Sequence, residues 1–173
     1  MKILMLDSST YGDDVNIDKY YELGEVKSYS TSTREEALKR VSEYNPEVVI
    51  INKIVADKEF IDAAPALKMI AETATGYNNI DIEAARARGI AVCNIPAYST
   101  ERVAHTAIMM ILNLSSSMQI QQAMLARGDR SNFTKCMQVS HVEVNGKILG
   151  VIGAGNIGRE VIKVAQALGM KVL

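Results

Sequence analysis

Short apolar runs alternate with amphipathic stretches over the first hundred residues. The runs that predict strands are KILMLD (2–7), EVKSYS (25–30), EVVIIN (47–52), LKMIAETA (67–74) and GIAVCN (89–94). Most are rich in apolar and β-branched residues, as is typical of strands buried on both faces of a sheet. The run at 25–30 is more polar, which favours an edge strand. Strand and helix alternating at this spacing predict βαβ units and a parallel sheet, with ligands at the carboxyl ends of its strands.

Sequence signals mark the ends of two predicted helices. Thr33 and Glu36 have the spacing of a capping box, which starts a helix with one apolar face. Asn45 precedes a proline and therefore ends that helix, because the residue before a proline avoids the α region. A second, shorter helix is predicted over 79–88 and ends at Gly89.

The pattern changes near residue 100. The stretch 101–127 contains neither proline nor glycine, and its apolar residues recur at helical spacing. It predicts one helix, longer than a single βαβ crossover requires, which leads the chain out of one domain and into another. The following stretch, 128–146, is polar and irregular, so it is interpreted as a connecting arm.

A glycine-rich turn follows the apolar strand ILGVI and opens another helical stretch. Residues 153–158, GAGNIG, match G-x-G-x-x-G in the strand–turn–helix context that a dinucleotide site requires. The glycines permit a tight turn, close approach of a pyrophosphate and close helix packing, and the helix start favours the anion. The alternative is a tight β-to-α turn without a ligand. The acidic residue that would separate NAD from NADP is expected beyond Leu173.

A second candidate site lies in ATGYNNID (74–81), between an apolar strand and a helix. Backbone N–H groups in this turn could form a small anion nest for a substrate carboxylate. Alternatively, Asn78 and Asn79 would simply cap the following helix. The residues by themselves leave both interpretations open.

The charge, apolar stretches and cysteine content of the chain limit its expected binding partners and cellular compartment. Nineteen basic residues against twenty acidic ones, without a block of like charge, predict no nucleic-acid or anionic-membrane partner. The longest apolar stretch, 103–114, is too short to span a bilayer. Cys93 and Cys136 lack CxxC spacing, and only two histidines are present, so no metal site is expected. Two lone thiols suggest a reducing compartment and a cytoplasmic protein.

The run TGYNNIDIEAARARGIAVCNIPAYSTERVAH (75–105), followed by GKILGVIGAGNIGRE (146–160), resembles the N-terminal part of the D-isomer-specific 2-hydroxyacid dehydrogenases. The AYST segment is most similar to the glycerate (hydroxypyruvate) and D-lactate branches. The resemblance implies an α/β protein with a flavodoxin-like parallel-sheet substrate domain at 1–99. An interdomain helix and arm would occupy 100–145, and the first β-α unit of a Rossmann coenzyme domain would occupy 146–173.

The resemblance also implies ligands and a partner. The family transfers a hydride between a nicotinamide, with NAD expected and NADP not excluded, and C2 of a small 2-oxo or 2-hydroxy acid. Thr75 and Gly76 would bind the substrate carboxylate through backbone amides, and Asn52, Lys53 and Tyr98 would line the same cleft. The residues that would cradle the coenzyme pyrophosphate are Gly153, Gly155, Asn156, Ile157 and Gly158. A homodimer or another form of self-association is expected.

No catalytic residue is expected within these 173 residues, because the family's histidine, arginine and glutamate come from later in the chain. His105 lies where similar sequences more often carry glutamate or glutamine, and His141 lies in the arm; both are interpreted as non-catalytic. The chain is therefore expected to be an inactive front part of a dehydrogenase. The alternative is a non-catalytic binding or assembly module. Residues 146–173 bury little by themselves, so they should be mobile or packed on the long helix or a second chain.

Overall fold

A computed structural model describes residues 1–173, which form two compact units, Met1–Tyr98 and Ser99–Leu173. The first unit contains a five-stranded, all-parallel sheet. Its strands are β1 (Lys2–Met5), β2 (Glu25–Ser28), β3 (Val48–Ile51), β4 (Met69–Glu72) and β5 (Ala91–Cys93). The order β2-β1-β3-β4-β5 is that of flavodoxin-like sheets, which confirms the predicted fold class, and the polar β2 lies at an edge as expected.

Helices cover both faces of this sheet. They are α1 (Asp18–Leu23), α2 (Arg34–Tyr44), α3 (Lys58–Asp62) and α4 (Ile82–Ala87), with a 3-10 turn at Ser8–Thr10. On one face Val41 of α2 and Phe60 of α3 join the same buried cluster as Leu4 of β1. On the other face Ile3 and Ile50 pack with residues near α1. Successive strand residues therefore enter opposite clusters, as the two-residue period of a strand requires.

The predicted ends of α2 are confirmed. The Thr33 hydroxyl accepts a hydrogen bond from the Glu36 amide at 3.2 Å, and the Glu36 carboxylate accepts one from the Thr33 amide at 2.8 Å. The helix ends at Asn45, which adopts the left-handed conformation with φ 47°. The second predicted helix is shorter than expected, because Asp81 and not Asn79 caps α4.

The second unit is mostly helical. Its elements are α5 (Thr100–Ser115), α6 (Met118–Ala126), α7 (Ser131–Thr134), β6 (Ile148–Leu149), α8 (Asn156–Ala167) and β7 (Lys171–Val172). The strands β6 and β7 pair in parallel, with α8 between them along the chain. Ile108 of α5 packs with Ala165 of α8 and with Met170, so residues 146–173 lie against the long helix, one of the predicted placements. None of the eight helices combines the length and the apolarity that a bilayer crossing demands.

The prediction of one continuous helix over 101–127 is wrong. The chain breaks between α5 and α6, where Ser117 adopts the left-handed conformation with φ 50°. The hydroxyls of Ser115 and Ser116 bond to the Leu112 carbonyl, and that of Ser117 bonds to the Ser140 carbonyl at 2.7 Å. Serine hydroxyls compete with the backbone for helical partners, so three in succession favour a break.

The arm at 128–146 also contains more structure than predicted. It includes the short helix α7, and Asn132 within it is only 3% exposed. The Asn132 side-chain oxygen accepts hydrogen bonds from the amides of Gln138 and Val139 at 2.8 and 3.0 Å. One buried asparagine therefore folds the arm back on itself, which the polar composition of the segment did not indicate.

Candidate functional site

Polar residues gather at the carboxyl edge of the first unit's sheet. Asp7 follows β1, Asn52 and Lys53 follow β3, and Glu72 is the last residue of β4. The strands β1, β3 and β4 are neighbours and run in parallel, so their carboxyl ends meet at one edge. This is the edge at which open α/β sheets bind ligands.

Asp7 holds the turn that follows β3. Its carboxylate accepts hydrogen bonds from the Asn52 amide at 3.0 and 3.2 Å and from the Lys53 amide at 2.6 Å. Asp7 is only 5% exposed, and hydrogen bonds to a carboxylate are stronger than neutral ones. Because one carboxylate satisfies both amides, Asp7 fixes the turn that follows β3.

Asn79 joins three segments of the same edge. Its side-chain amide donates to the Ile54 carbonyl at 2.8 Å and to Glu72 Oε2 at 3.0 Å, and it lies 3.4 Å from the Asn52 carbonyl. The interpretation of Asn78 and Asn79 as caps of the following helix is therefore wrong. Asp81 caps α4 instead, accepting from the Ala84 amide at 2.9 Å.

Glu72 is the most unusual carboxyl at this edge. It is only 2% exposed, and its Oε1 has no hydrogen-bond partner, as is also true of the Asn52 side-chain oxygen. Burial raises the pKa of Glu72 to about 7, the Asn79 hydrogen bond and the charge of Lys53 oppose that rise, and the charge of Asp7 adds to it. The phenol of Tyr11 bonds to Thr73 close by, and burial raises its pKa to about 12.

A cleft of about 340 Å³ opens at this edge. Its lining residues are Asn52, Lys53, Ala74, Gly76, Asn78 and Asn79. A Cβ on Gly76 would meet no atom within 4 Å, so the backbone there is open to a ligand. The cleft therefore combines one cation, three side-chain amides and an accessible stretch of backbone, which suits a small carboxylate.

Three of the five predicted substrate residues, Asn52, Lys53 and Gly76, line this cleft. Thr75 is next to it, where its hydroxyl donates to the Ile95 carbonyl at 3.0 Å and its carbonyl accepts from the Asn94 side chain at 2.8 Å. Tyr98 is not among the lining residues, and its side chain lies on the surface, 66% exposed.

The glycine-rich turn has the backbone that an anion site requires. Gly153 has φ 98°, which favours glycine, and a Cβ on Gly158 would collide with the Gly153 carbonyl. Gly155 is the N-cap of α8 and supplies no side-chain cap, so the first amides of the helix, including those of Asn156 and Ile157, are left for another acceptor. These residues fit a pyrophosphate group.

Two residues of the cluster at the sheet edge escaped the sequence-based prediction. Asp7 and Glu72 are each a single acidic residue in or directly after an apolar run that predicts a strand. This isolated acid is the feature of the sequence that could have indicated them. The histidines lie elsewhere: His105 lines a mostly apolar cavity of about 390 Å³ beside α5, and His141 is exposed in the arm.

Comparison with known proteins settles the family. Residues 3–143 match the family described as D-isomer specific 2-hydroxyacid dehydrogenase, catalytic domain. The chain belongs to this family. This match confirms the resemblance that the sequence motifs indicate.

The relatives that this chain matches are longer than it is. A hydroxypyruvate reductase of Blautia hydrogenotrophica is 34% identical over 179 residues, which cover 100% of the chain and 55% of the relative. The solved D-lactate dehydrogenase of Aquifex aeolicus, complexed with NAD and lactic acid, has a TM-score of 0.82 and 27% identity over 99% of this chain and 50% of that one. An acyclic imino acid reductase in complex with NADPH and D-Arg has a TM-score of 0.83 and 28% identity, covering 99% and 55%. The chain spans about half the length of these relatives.

Proposed function

We propose that this chain supplies the substrate-carboxylate cleft and the opening of the coenzyme site of a nicotinamide-dependent D-2-hydroxyacid dehydrogenase. The observation that carries the proposal is the cleft lined by Asn52, Lys53 and Gly76 at the carboxyl edge of the sheet. It joins a cation to accessible backbone at the position where α/β folds bind ligands. The membership of the family supplies the reaction class.

The substrate is a small 2-oxo or 2-hydroxy acid. Its carboxylate accepts hydrogen bonds from the backbone amides of Thr75 and Gly76, while the Lys53 ammonium neutralises its charge. Asn52 also lines the cleft and offers a side-chain amide to the ligand. The compact ammonium on the flexible lysine side chain tolerates carboxylates on differently shaped acids. Lys53 therefore binds the carboxylate common to 2-oxo and 2-hydroxy acids and does not discriminate among these acids.

The coenzyme is NAD or NADP, and when bound it supplies or accepts the hydride at C2 of the acid. Relatives of known structure contain one or the other. In this chain the pyrophosphate lies against the turn formed by Gly153, Gly155 and Gly158, with the amides of Asn156 and Ile157 completing the cradle at the start of α8. The helix start adds a favourable dipole for the anion.

The 173-residue polypeptide is proposed to bind ligand without turning it over. Reduction of a 2-oxo acid needs a proton donor at the carbonyl oxygen and a cation to polarise it. Neither His105 nor His141 is among the residues lining the cleft, and the resemblance places the family's histidine, arginine and glutamate later in the chain.

The second candidate function is a non-catalytic module that binds carboxylates and self-associates. Large apolar side chains are exposed on α5 and α6, among them Met110, Leu114 and Ile120, which favours a homodimer. Two measurements on the 173-residue polypeptide separate the candidates: NADH oxidation with hydroxypyruvate, and sedimentation velocity. Turnover would contradict the absence of a catalytic set, and a monomer at all concentrations would contradict the assembly module.

Replacing Lys53 by methionine tests the cleft directly. We expect the dissociation constant for oxamate, an unreactive mimic of pyruvate, to rise at least tenfold, because a hydrogen bond to a charged group is worth about 1.5–3 kcal/mol. Isothermal titration calorimetry of the 173-residue chain measures it. Lys58→Met is the matched control, since Lys58 is an exposed lysine paired with Asp62 on α3. Equal affinities in both variants would count against the cleft as the carboxylate site.

A further inference from the structure

One side chain connects the buried Glu72 carboxyl to the cleft. Glu72 Oε2 accepts from the Asn79 side-chain amide at 3.0 Å, and Asn79 lines the cleft. The same amide group donates to the Ile54 carbonyl at 2.8 Å, so it also anchors the turn that carries Asn52 and Lys53. The state of the Glu72 carboxyl is therefore linked to the cleft wall through a single amide.

Charged and titratable groups face Glu72 from the neighbouring elements. Asp7 lies at the end of β1, Lys53 at the end of β3, and Tyr11 in the segment after β1. Lys53 is the cation that stabilises an ionised Glu72, whereas Asp7 opposes it. Lys53 is also the cation of the cleft, so a bound ligand and Glu72 compete for the same positive charge.

A carboxylate bound beside Lys53 favours the neutral form of Glu72 over its ionised form. Its negative charge repels an ionised Glu72, and it offsets the field of the Lys53 ammonium. Burial already raises the pKa of Glu72 to about 7, so a further rise moves the group from mostly ionised to mostly neutral in the physiological range. The buried Oε1 atom of Glu72, which has no hydrogen-bond partner, favours the same change, because an unpaired buried carboxyl is less costly when it is neutral than when it is ionised.

We propose that Glu72 takes up one proton from solvent when a carboxylate ligand binds the cleft, so that Glu72 sets the pH range in which the cleft binds anions. The inference rests on the proposed function, since it takes this cleft as the carboxylate site. The proton forms an O–H bond on the Glu72 carboxylate, and no other bond is made or broken. Glu72 does not touch the ligand; it acts through Lys53 and Asn79 as a positioning residue.

The test is calorimetric titration of the 173-residue chain with oxamate between pH 6 and pH 8, in buffers of different ionisation enthalpy. Oxamate keeps one charge throughout this range. If ligand binding lowers the acid dissociation constant of Glu72 about tenfold, the dissociation constant for oxamate rises about fivefold from pH 6 to pH 8. At pH 7.5 the chain takes up about half a proton per ligand bound.

The variant Glu72→Gln is expected to lose both the pH dependence and the proton uptake. Glu83→Gln is the matched control, because Glu83 is exposed on α4 and pairs with Arg86, and it should behave as the wild type does. Affinity that is constant with pH and without proton uptake in the wild type overturns the inference and leaves the cleft intact. No binding by wild type or variant at any pH overturns the inference and the proposed function together.

A measurement on the wild type keeps the inference testable if Glu72→Gln fails to fold. The ¹³C resonance of the Glu72 carboxyl carbon reports its protonation during a pH titration. Saturating oxamate should move the midpoint of that titration to higher pH by about one unit, the shift that underlies the fivefold change in affinity. An unchanged midpoint in the presence of bound oxamate overturns the proposed coupling.

Discussion

Replacing Asp7 by alanine is expected to lower the free energy of unfolding by about 3 kcal/mol, because two backbone amides in a partly buried turn lose their shared acceptor. The Asp7 carboxylate accepts from the amides of Asn52 and Lys53, and Asp7 is only 5% exposed, so water does not readily replace it. The turn after β3 should also loosen, which weakens oxamate binding. Urea denaturation followed by circular dichroism measures the stability change.

Two further variants define what the Asp7 result means. Asp7→Asn keeps one acceptor oxygen in the same place, so its free energy of unfolding should lie between that of the wild type and that of Asp7→Ala. Asp13→Ala removes an exposed carboxylate from the segment that follows and should change the stability by less than about 0.5 kcal/mol. An Asp7→Ala variant as stable as the wild type would show that the turn after β3 does not depend on the hydrogen bonds to Asp7.

The sheet could be predicted because its strands differ in polarity. The strands β1 and β3 are buried, and their sequences contain uninterrupted apolar runs. Residues of β2 are exposed or half-buried, and its run is polar, so its place at the edge follows from the sequence. The parallel direction follows from the helices between strands, since a parallel pair needs a long crossover.

The break within the long helical segment could not be predicted from hydrophobic spacing. Apolar residues continue at helical intervals across 115–118, so the period gives no sign of an interruption. What decides the break is local: three serine hydroxyls bond to carbonyls, one of them the Ser140 carbonyl far along the chain. That last contact exists only after the arm has folded back, and a single-sequence pattern does not contain it.

The candidate site was partly accessible from the sequence. Asn52, Lys53 and Gly76 were placed by family resemblance, and their common location follows from the carboxyl ends of adjacent parallel strands. The sequence pattern does not indicate Glu72, although β4 lies between β3 and β5 and its residues alternate between half-buried and buried. An acid at the end of a central strand is buried by its neighbours, and this becomes evident only when the strand order is known.

Glu72 is expected to make the stability of the chain fall as the pH rises from about 4.5 to about 7. Its pKa is about 7 in the folded chain, against an ordinary value of 4.5. Between these values the folded state binds more protons than the unfolded state, so unfolding becomes easier as the pH increases. Below pH 4.5 the group is neutral in both states and has no effect. Above pH 7 its full cost, about 3 kcal/mol, is present.

Glu72→Gln should therefore be more stable than the wild type at pH 8 and nearly as stable as the wild type at pH 5. Urea denaturation of both proteins at the two pH values measures this difference. The other acids with shifted pKa values do not obscure this comparison. Hydrogen bonds lower the pKa of Glu36 and Glu47, so their stabilisation is lost only as the pH falls below their ordinary value of 4.5. They also titrate alike in both proteins. A stability difference that is the same at pH 5 and pH 8 would mean that Glu72 stays ionised across this range, and the proton coupling to the cleft would lose its physical basis.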